Sequence, residues 1–220
     1  MGKQEFAVIG LGRFGQNVAL TLEQSGHHVL GIDVSEEKVQ ALSTQLTQAI
    51  ILDSTQIDAL KAVDIMSFDT VIVAIGSNFE GNIMTTVSLK ELGVKCVICK
   101  ATTNQQENIL LRVGADQVVL PEREAGRRLA DNLINPGMLE KFSLTKGSDY
   151  SIVEFAVPTS LCNQTLMQSG IRARFGISIL VINRGADVIV HPPANTVLQN
   201  GDVIVTLGHE KDLQNFSQLA

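Results

Sequence analysis

The sequence predicts an α/β fold, a doubly wound parallel sheet followed by a small α+β C-terminal domain. Three observations carry that prediction. An apolar run over 6–9 stops at a glycine, and Gly10, Gly12 and Gly15 then fall in the G-x-G-x-x-G spacing. A second apolar run over 29–32 ends in Asp33, eighteen residues beyond Gly15. Strand-like and helix-like stretches alternate as far as Pro121, and from Tyr150 the sequence turns strand-rich. A strand, a glycine turn, a helix and an acid at that distance make a Rossmann domain the expected first unit.

The elements follow in order. Strands are expected at 6–9, 29–33, 49–52, 70–75, 96–101 and 117–120, and amphipathic helices at 15–25, 36–46, 57–63, 82–92 and 105–113. The strands are almost wholly apolar, as a parallel sheet covered on both faces requires. Ser35 is the expected N-cap of the second helix, followed by two acids. Gly26, Gly93 and Gly114 stand where helices should stop. The nucleotide-binding domain is therefore placed at 1–121. A charged helical stretch at 122–133, a break at 135–137 and a short helical piece at 138–142 make 122–145 a crossover helix and linker. After a loop at 146–149, the C-terminal domain (146–220) should hold strands at 151–157, 177–183, 187–190 and 203–207. It should also hold short helices at 165–169 and 210–217 and a hairpin turn at 184–187. A domain this small is expected to complete its burial against a copy of itself.

Composition narrows the function. The 220 residues are 45% hydrophobic, enough for a core, and carry a formal net charge of −6. A phosphate-backbone binder needs a basic face, and one tyrosine with no tryptophan supplies no stacking platform for single strands. Nucleic acid is thus disfavoured. No apolar stretch approaches the roughly 18 residues of a membrane span, and the N-terminus lacks the apolar core of a signal peptide. Three cysteines fit a reducing, cytoplasmic setting. Cys96 and Cys99 form a C-x-x-C, but it falls on an expected strand, where residues three apart face opposite ways. A shared metal or disulfide is disfavoured there.

Each motif residue has a physical task. Gly10 permits the tight turn, Gly12 lets the backbone approach a pyrophosphate, and Gly15 lets the helix pack on the strand. The phosphates then lie against the free N–H groups of the helix N-terminus, and Asp33 accepts bonds from ribose hydroxyls. The alternative is a glycine-rich turn used for packing alone. Arg13 inside the loop adds charge suited to a ligand with a charged tail, which tilts the expectation from NAD toward ATP. The alternative is an arginine on the solvated rim. His27, His28, His191 and His209 have no sequence-near acid or nucleophile, so no catalytic residue is assigned.

Five segments together carry a resemblance: F-A-V-I-G-L-G-R-F-G, G-I-D-V-S-E-E-K-V, T-V-I-V-A-I-G, C-K-A, and G-A-D-Q-V-V-L-P-E-R-E-A-G-R-R-L-A. The chain resembles the RCK (KTN) family over nearly its whole length, nearest to the cytosolic regulatory subunits of Ktr and Trk potassium uptake systems. The resemblance implies a non-enzymatic subunit on the inner face of the cell membrane. It implies homodimers assembled into an octameric ring beneath a potassium-translocating membrane subunit, with ATP favouring an active ring and ADP an inactive one. NAD(H) is also bound in the family. The implied nucleotide residues are Gly10, Gly12, Arg13, Phe14, Gly15, Asp33, Val34, Lys38, Asp53, Ser54, Thr55, Ala74, Ile75, Gly76, Lys100 and Glu122. Of these, Arg13 meets the terminal phosphates and Glu122 helps hold Mg²⁺ or another cation there. The C-terminal unit resembles a subdomain that in some members binds cyclic di-AMP, for which Ile171, Arg174, Ile177 and Pro193 are the candidates. An NAD-dependent oxidoreductase or an NAD(H)-binding redox sensor remains the alternative.

Overall fold

A parallel six-stranded sheet and an antiparallel five-stranded sheet organise the chain, seen in a computed structural model that describes residues 3–134, 138–144 and 148–219. The expected break at 135–137 and half of the loop at 146–149 lie outside those residues. The chain divides into two units, Met1–Ala125 and Gly126–Ala220.

In the first unit the order is β1 (Glu5–Ile9), α1 (Arg13–Gln24), β2 (His28–Asp33), α2 (Glu36–Leu42), β3 (Gln48–Ile51), α3 (Ile57–Ala62), β4 (Thr70–Val73), α4 (Phe79–Glu91), β5 (Val97–Lys100), α5 (Asn104–Arg112) and β6 (Gln117–Val119). The strands lie in the order β3-β2-β1-β4-β5-β6, all parallel. Side chains alternate across a strand, and the cores divide accordingly. Ala7, Ile9, Val71 and Val73 face a cluster that includes Leu60, Leu89 and Leu110. Val8 and Ile72 face the other side, with Leu11, Ala19 and Val39. Each fully buried Leu or Ile contributes on the order of 1.5–3 kcal/mol, so both layers hold the sheet. The strand order reverses between β1 and β4, which opens a crevice at their C-terminal ends.

Two local expectations need correction. Ser35 occupies the N-cap position of α2, but its side chain makes no capping bond; its amide donates to Asp33 Oδ1 at 2.9 Å. α4 starts at Phe79 rather than 82, because the Asn78 side chain caps it by accepting from the Gly81 amide at 3.0 Å.

α6 (Pro121–Ile134) begins in the first unit and ends in the second. The second unit adds β7 (Met138–Ser143), β8 (Tyr150–Ala156), α7 (Leu166–Ser169), α8 (Ile171–Phe175), β9 (Ser178–Arg184), β10 (Asp187–Val190), β11 (Val203–His209) and α9 (Glu210–Ser217). Its antiparallel sheet has the order β10-β9-β11-β8-β7. The expected helical piece at 138–142 is strand β7, paired with β8. A non-local ladder overrides the local pattern there, and the sheet begins inside the stretch read as linker. Phe155, Phe175 and Phe216 meet edge to face in the core. Arg184 grips the buried Asp202 with two bonds of 2.8 Å each, from Nε and Nη2. No helix among the described residues is long and apolar enough to cross a membrane.

Candidate nucleotide site

The crevice is a cavity of about 610 Å³. Gly10, Gly12, Arg13, Phe14, Asp33, Val34, Lys38, Asp53, Ser54, Thr55, Ala74, Ile75, Gly76, Lys100 and Glu122 all line it. Gly15 lies behind the loop instead. A Cβ built on it would overlap the Gly10 carbonyl oxygen and come within 3.2 Å of the Ala74 Cβ. Gly10 turns at φ +96°, a conformation that side chains resist, while its amide donates to Ile32 O at 2.7 Å. A Cβ on Gly12 would meet nothing within 4 Å, so the loop leaves open space at the first turn of α1. The first amides of a helix have no partner within it, and here they are those of α1, beside that space.

Asp33 ties the site together. Its Oδ2 accepts the Leu11 amide at 2.7 Å and its Oδ1 accepts the Ser35 amide at 2.9 Å. Lys38 Nζ reaches the two oxygens at 3.3 and 3.1 Å. Burial acts to raise the carboxyl's pKa, but the Ser35 and Leu11 amides and the Lys38 ammonium outweigh it and hold the pKa below the usual range. Lys38 is the exposed member of the pair and the Asp33 carboxylate the buried one. Asp53 is held low by the hydroxyl and amide of Thr55. The Ser54 hydroxyl is turned away, to Thr85 Oγ1 at 2.8 Å.

At the far wall, Lys100 Nζ meets Glu122 Oε1 at 2.7 Å and lies 5.7 Å from the Phe14 ring centroid. The bond from Lys100 and a helix amide hold the Glu122 carboxyl below its ordinary pKa. Glu122 therefore already carries a cationic partner. Among the described residues, no group of three or more His, Cys, Asp and Glu gathers to hold a metal.

Asn82 escapes a sequence reading, because a lone asparagine in a helix carries no signal. It is 1% exposed, and its Nδ2 donates to Ile75 O at 2.9 Å and to Lys100 O at 3.0 Å. It thus fixes the ends of β4 and β5 against each other. None of the cavity-lining residues is His, Cys or Tyr. The histidines lie elsewhere; His209, for example, caps α9 by accepting the Lys211 amide. Cys99 is buried beside Thr86, and burial pushes its thiol up to about 11.

In the second unit a groove of about 290 Å³ is lined by Ile171 and Ile177. Arg172 and Pro192 also line the groove, whereas Arg174 and Pro193 lie outside its lining. Arg174 instead lies 5.1 Å from the Phe175 ring centroid and donates to Ser169 O at 3.4 Å. Within so short a helix a two-residue step moves a side chain to another face.

Comparisons with known proteins extend this geometry. The TrkA-N domain matches residues 6–121 and the TrkA-C domain matches residues 152–220. Over 216 residues the chain is 39% identical to Ktr system potassium uptake protein C of Bacillus subtilis (strain 168), covering 98% of this chain and 97% of that protein. It is 35% identical over 213 residues to Ktr system potassium uptake protein A of the same organism, covering 97% and 95%. Among solved structures, the GsuK channel bound to NAD matches with a TM-score of 0.68 and 20% identity, over 99% of this chain and 39% of that one. That likeness concerns the fold.

Proposed function

Since the chain belongs to the family of TrkA-N and TrkA-C domain proteins, we propose that it is a nucleotide-sensing regulatory subunit of a potassium uptake system. The observation that carries this reading is the cavity at the strand-order reversal. Its lining brings Arg13, Lys38 and Lys100 together with the glycine loop that opens α1. Such a site holds and reads an anionic ligand. The ligand is an adenine nucleotide, its phosphates on the Gly10–Gly15 loop and its ribose on Asp33. Asp53 and Thr55 flank the adenine. Val34, Ala74, Ile75 and Gly76 complete the wall.

ATP and ADP differ by one charged group, and a regulatory coupling needs such a difference between states. Arg13 meets the terminal phosphate. A cation such as Mg²⁺ would sit between phosphate oxygens and Glu122, as a hard ion prefers oxygen ligands. The units assemble as dimers into an octameric ring on the inner face of the membrane, beneath the potassium-translocating subunit. The groove lined by Ile171, Arg172, Ile177 and Pro192 takes cyclic di-AMP, with Arg174 and Pro193 beside it as further candidate contacts.

Arg13→Ala is expected to weaken ATP binding about tenfold, the order of one charge-assisted hydrogen bond, and to leave adenosine unaffected. Calorimetry measures this, and scattering reports ring shape with each nucleotide. Equal responses of variant and wild type would remove Arg13 from the mechanism. The Asp33 carboxylate also suits the ribose of NAD, so NAD and NADH belong in the same titrations. A clear difference between those two, with none between ATP and ADP, would make the chain a redox sensor instead.

A further inference from the structure

Lys100 closes β5 with its backbone fixed, since its carbonyl accepts the Asn82 side chain at 3.0 Å. Its side chain is only 12% exposed, whereas that of its partner Glu122 is 64% exposed. An enclosed ammonium is costly without an anion beside it. Glu122 supplies that anion at 2.7 Å, from the first turn of α6. Arg13 opens α1 on the same cavity, and Lys38 is already engaged by Asp33. The Lys100–Glu122 pair therefore lies inside a phosphate site with one partner fixed and the other on its rim.

We propose that Glu122 is an internal counter-anion which the terminal phosphate of a bound adenine nucleotide displaces from Lys100. The pair then sets preference among nucleotides by the charge of their phosphate tail. This rests on the adenine-nucleotide reading of the cavity. A phosphate brings more charge and more acceptor oxygens than a carboxylate, so it wins the exchange, while an uncharged ligand leaves the pair intact. Displacement frees the Glu122 carboxylate, in the first turn of α6, to meet a cation.

The test is calorimetry with adenosine, ADP and ATP, in EDTA and low salt, on the full chain. Glu122→Gln is expected to tighten ATP binding about threefold to tenfold, the order of an ion pair at a partly exposed site. It should tighten ADP less and leave adenosine unchanged. Lys100→Met should weaken ATP about tenfold, and in that background Glu122→Gln should add nothing. A gain from Glu122→Gln that persists without Lys100 would be a general effect of charge and would overturn the exchange. So would unchanged or weaker ATP binding by Glu122→Gln while the wild type binds ATP. If the wild type binds no adenine ligand, adenosine included, the nucleotide reading itself falls. Loss of the anion beside the enclosed Lys100 should lower the melting temperature modestly, and a single cooperative melt verifies that the variant is folded.

Discussion

Gly15→Ala is expected to unfold the phosphate loop and abolish nucleotide binding. The added carbon has no room, since it would overlap the Gly10 carbonyl oxygen and press on the Gly10 carbonyl carbon at 3.1 Å and the Ala74 Cβ at 3.2 Å. None of these is the free end of a flexible side chain. Relief requires α1 to move off β1 or Gly10 to leave its turn. Gly10 is held by its bond to Ile32 O, and α1 by Ala19, which is fully buried in the core. Overpacking of a well-filled interior costs about 1–3 kcal/mol and more where backbone must shift, so about 3 kcal/mol or more is expected here. Urea unfolding and calorimetry with ATP measure both effects. Gly12→Ala is the contrast, because its Cβ would enter open space. That variant should keep its stability and lose affinity, since the methyl would occupy the place proposed for the phosphates. Full stability and full affinity in Gly15→Ala would refute the packing account.

Asp33→Ala is expected to cost about 2–4 kcal/mol, because it removes the acceptor of a buried amide together with the anion of an ion pair. Leu11 is fully buried, and its amide donates to the Asp33 carboxylate. Without that oxygen the turn between β1 and α1 loses its hold on β2. Asp33→Asn retains one acceptor oxygen and should fall between the two. The effect carries a pH signature. The native pKa of Asp33 lies below its ordinary value, so the native state favours the ionised form. Its contribution is complete above an unfolded pKa of about 3.9 and is lost as pH falls through the lower native value. The stability gap between wild type and Asp33→Ala should therefore be constant near neutrality and narrow below about pH 4. A gap that widened in acid would contradict this account of the carboxylate.

The first unit was largely legible because its signals are local. A glycine spacing, an acid at the end of the next apolar run and a repeated strand–helix rhythm each have one common structural solution. Residues at strand ends, such as Ala74 and Lys100, come to the cavity through topology, and the family resemblance named them. What escaped depends on contacts distant in sequence. Nothing beside Asn82 announces that it reaches two strand ends, and nothing beside Glu122 announces Lys100, which lies 22 residues away. The stretch of β7 reads locally as a helix because its strand character comes from pairing with β8. Arg172 and Arg174 are alike in sequence, and only the turn of α8 decides which one faces the groove.

The Asn82 amide bridges the carbonyls of Ile75 and Lys100. Separating the ends of β4 and β5 would break both bonds at a site closed to water, so this side of the cavity resists deformation, whereas Lys38 and Glu122 stand on its exposed rim. A ligand in this cavity would meet a backbone frame set by one buried amide and charges carried by exposed side chains.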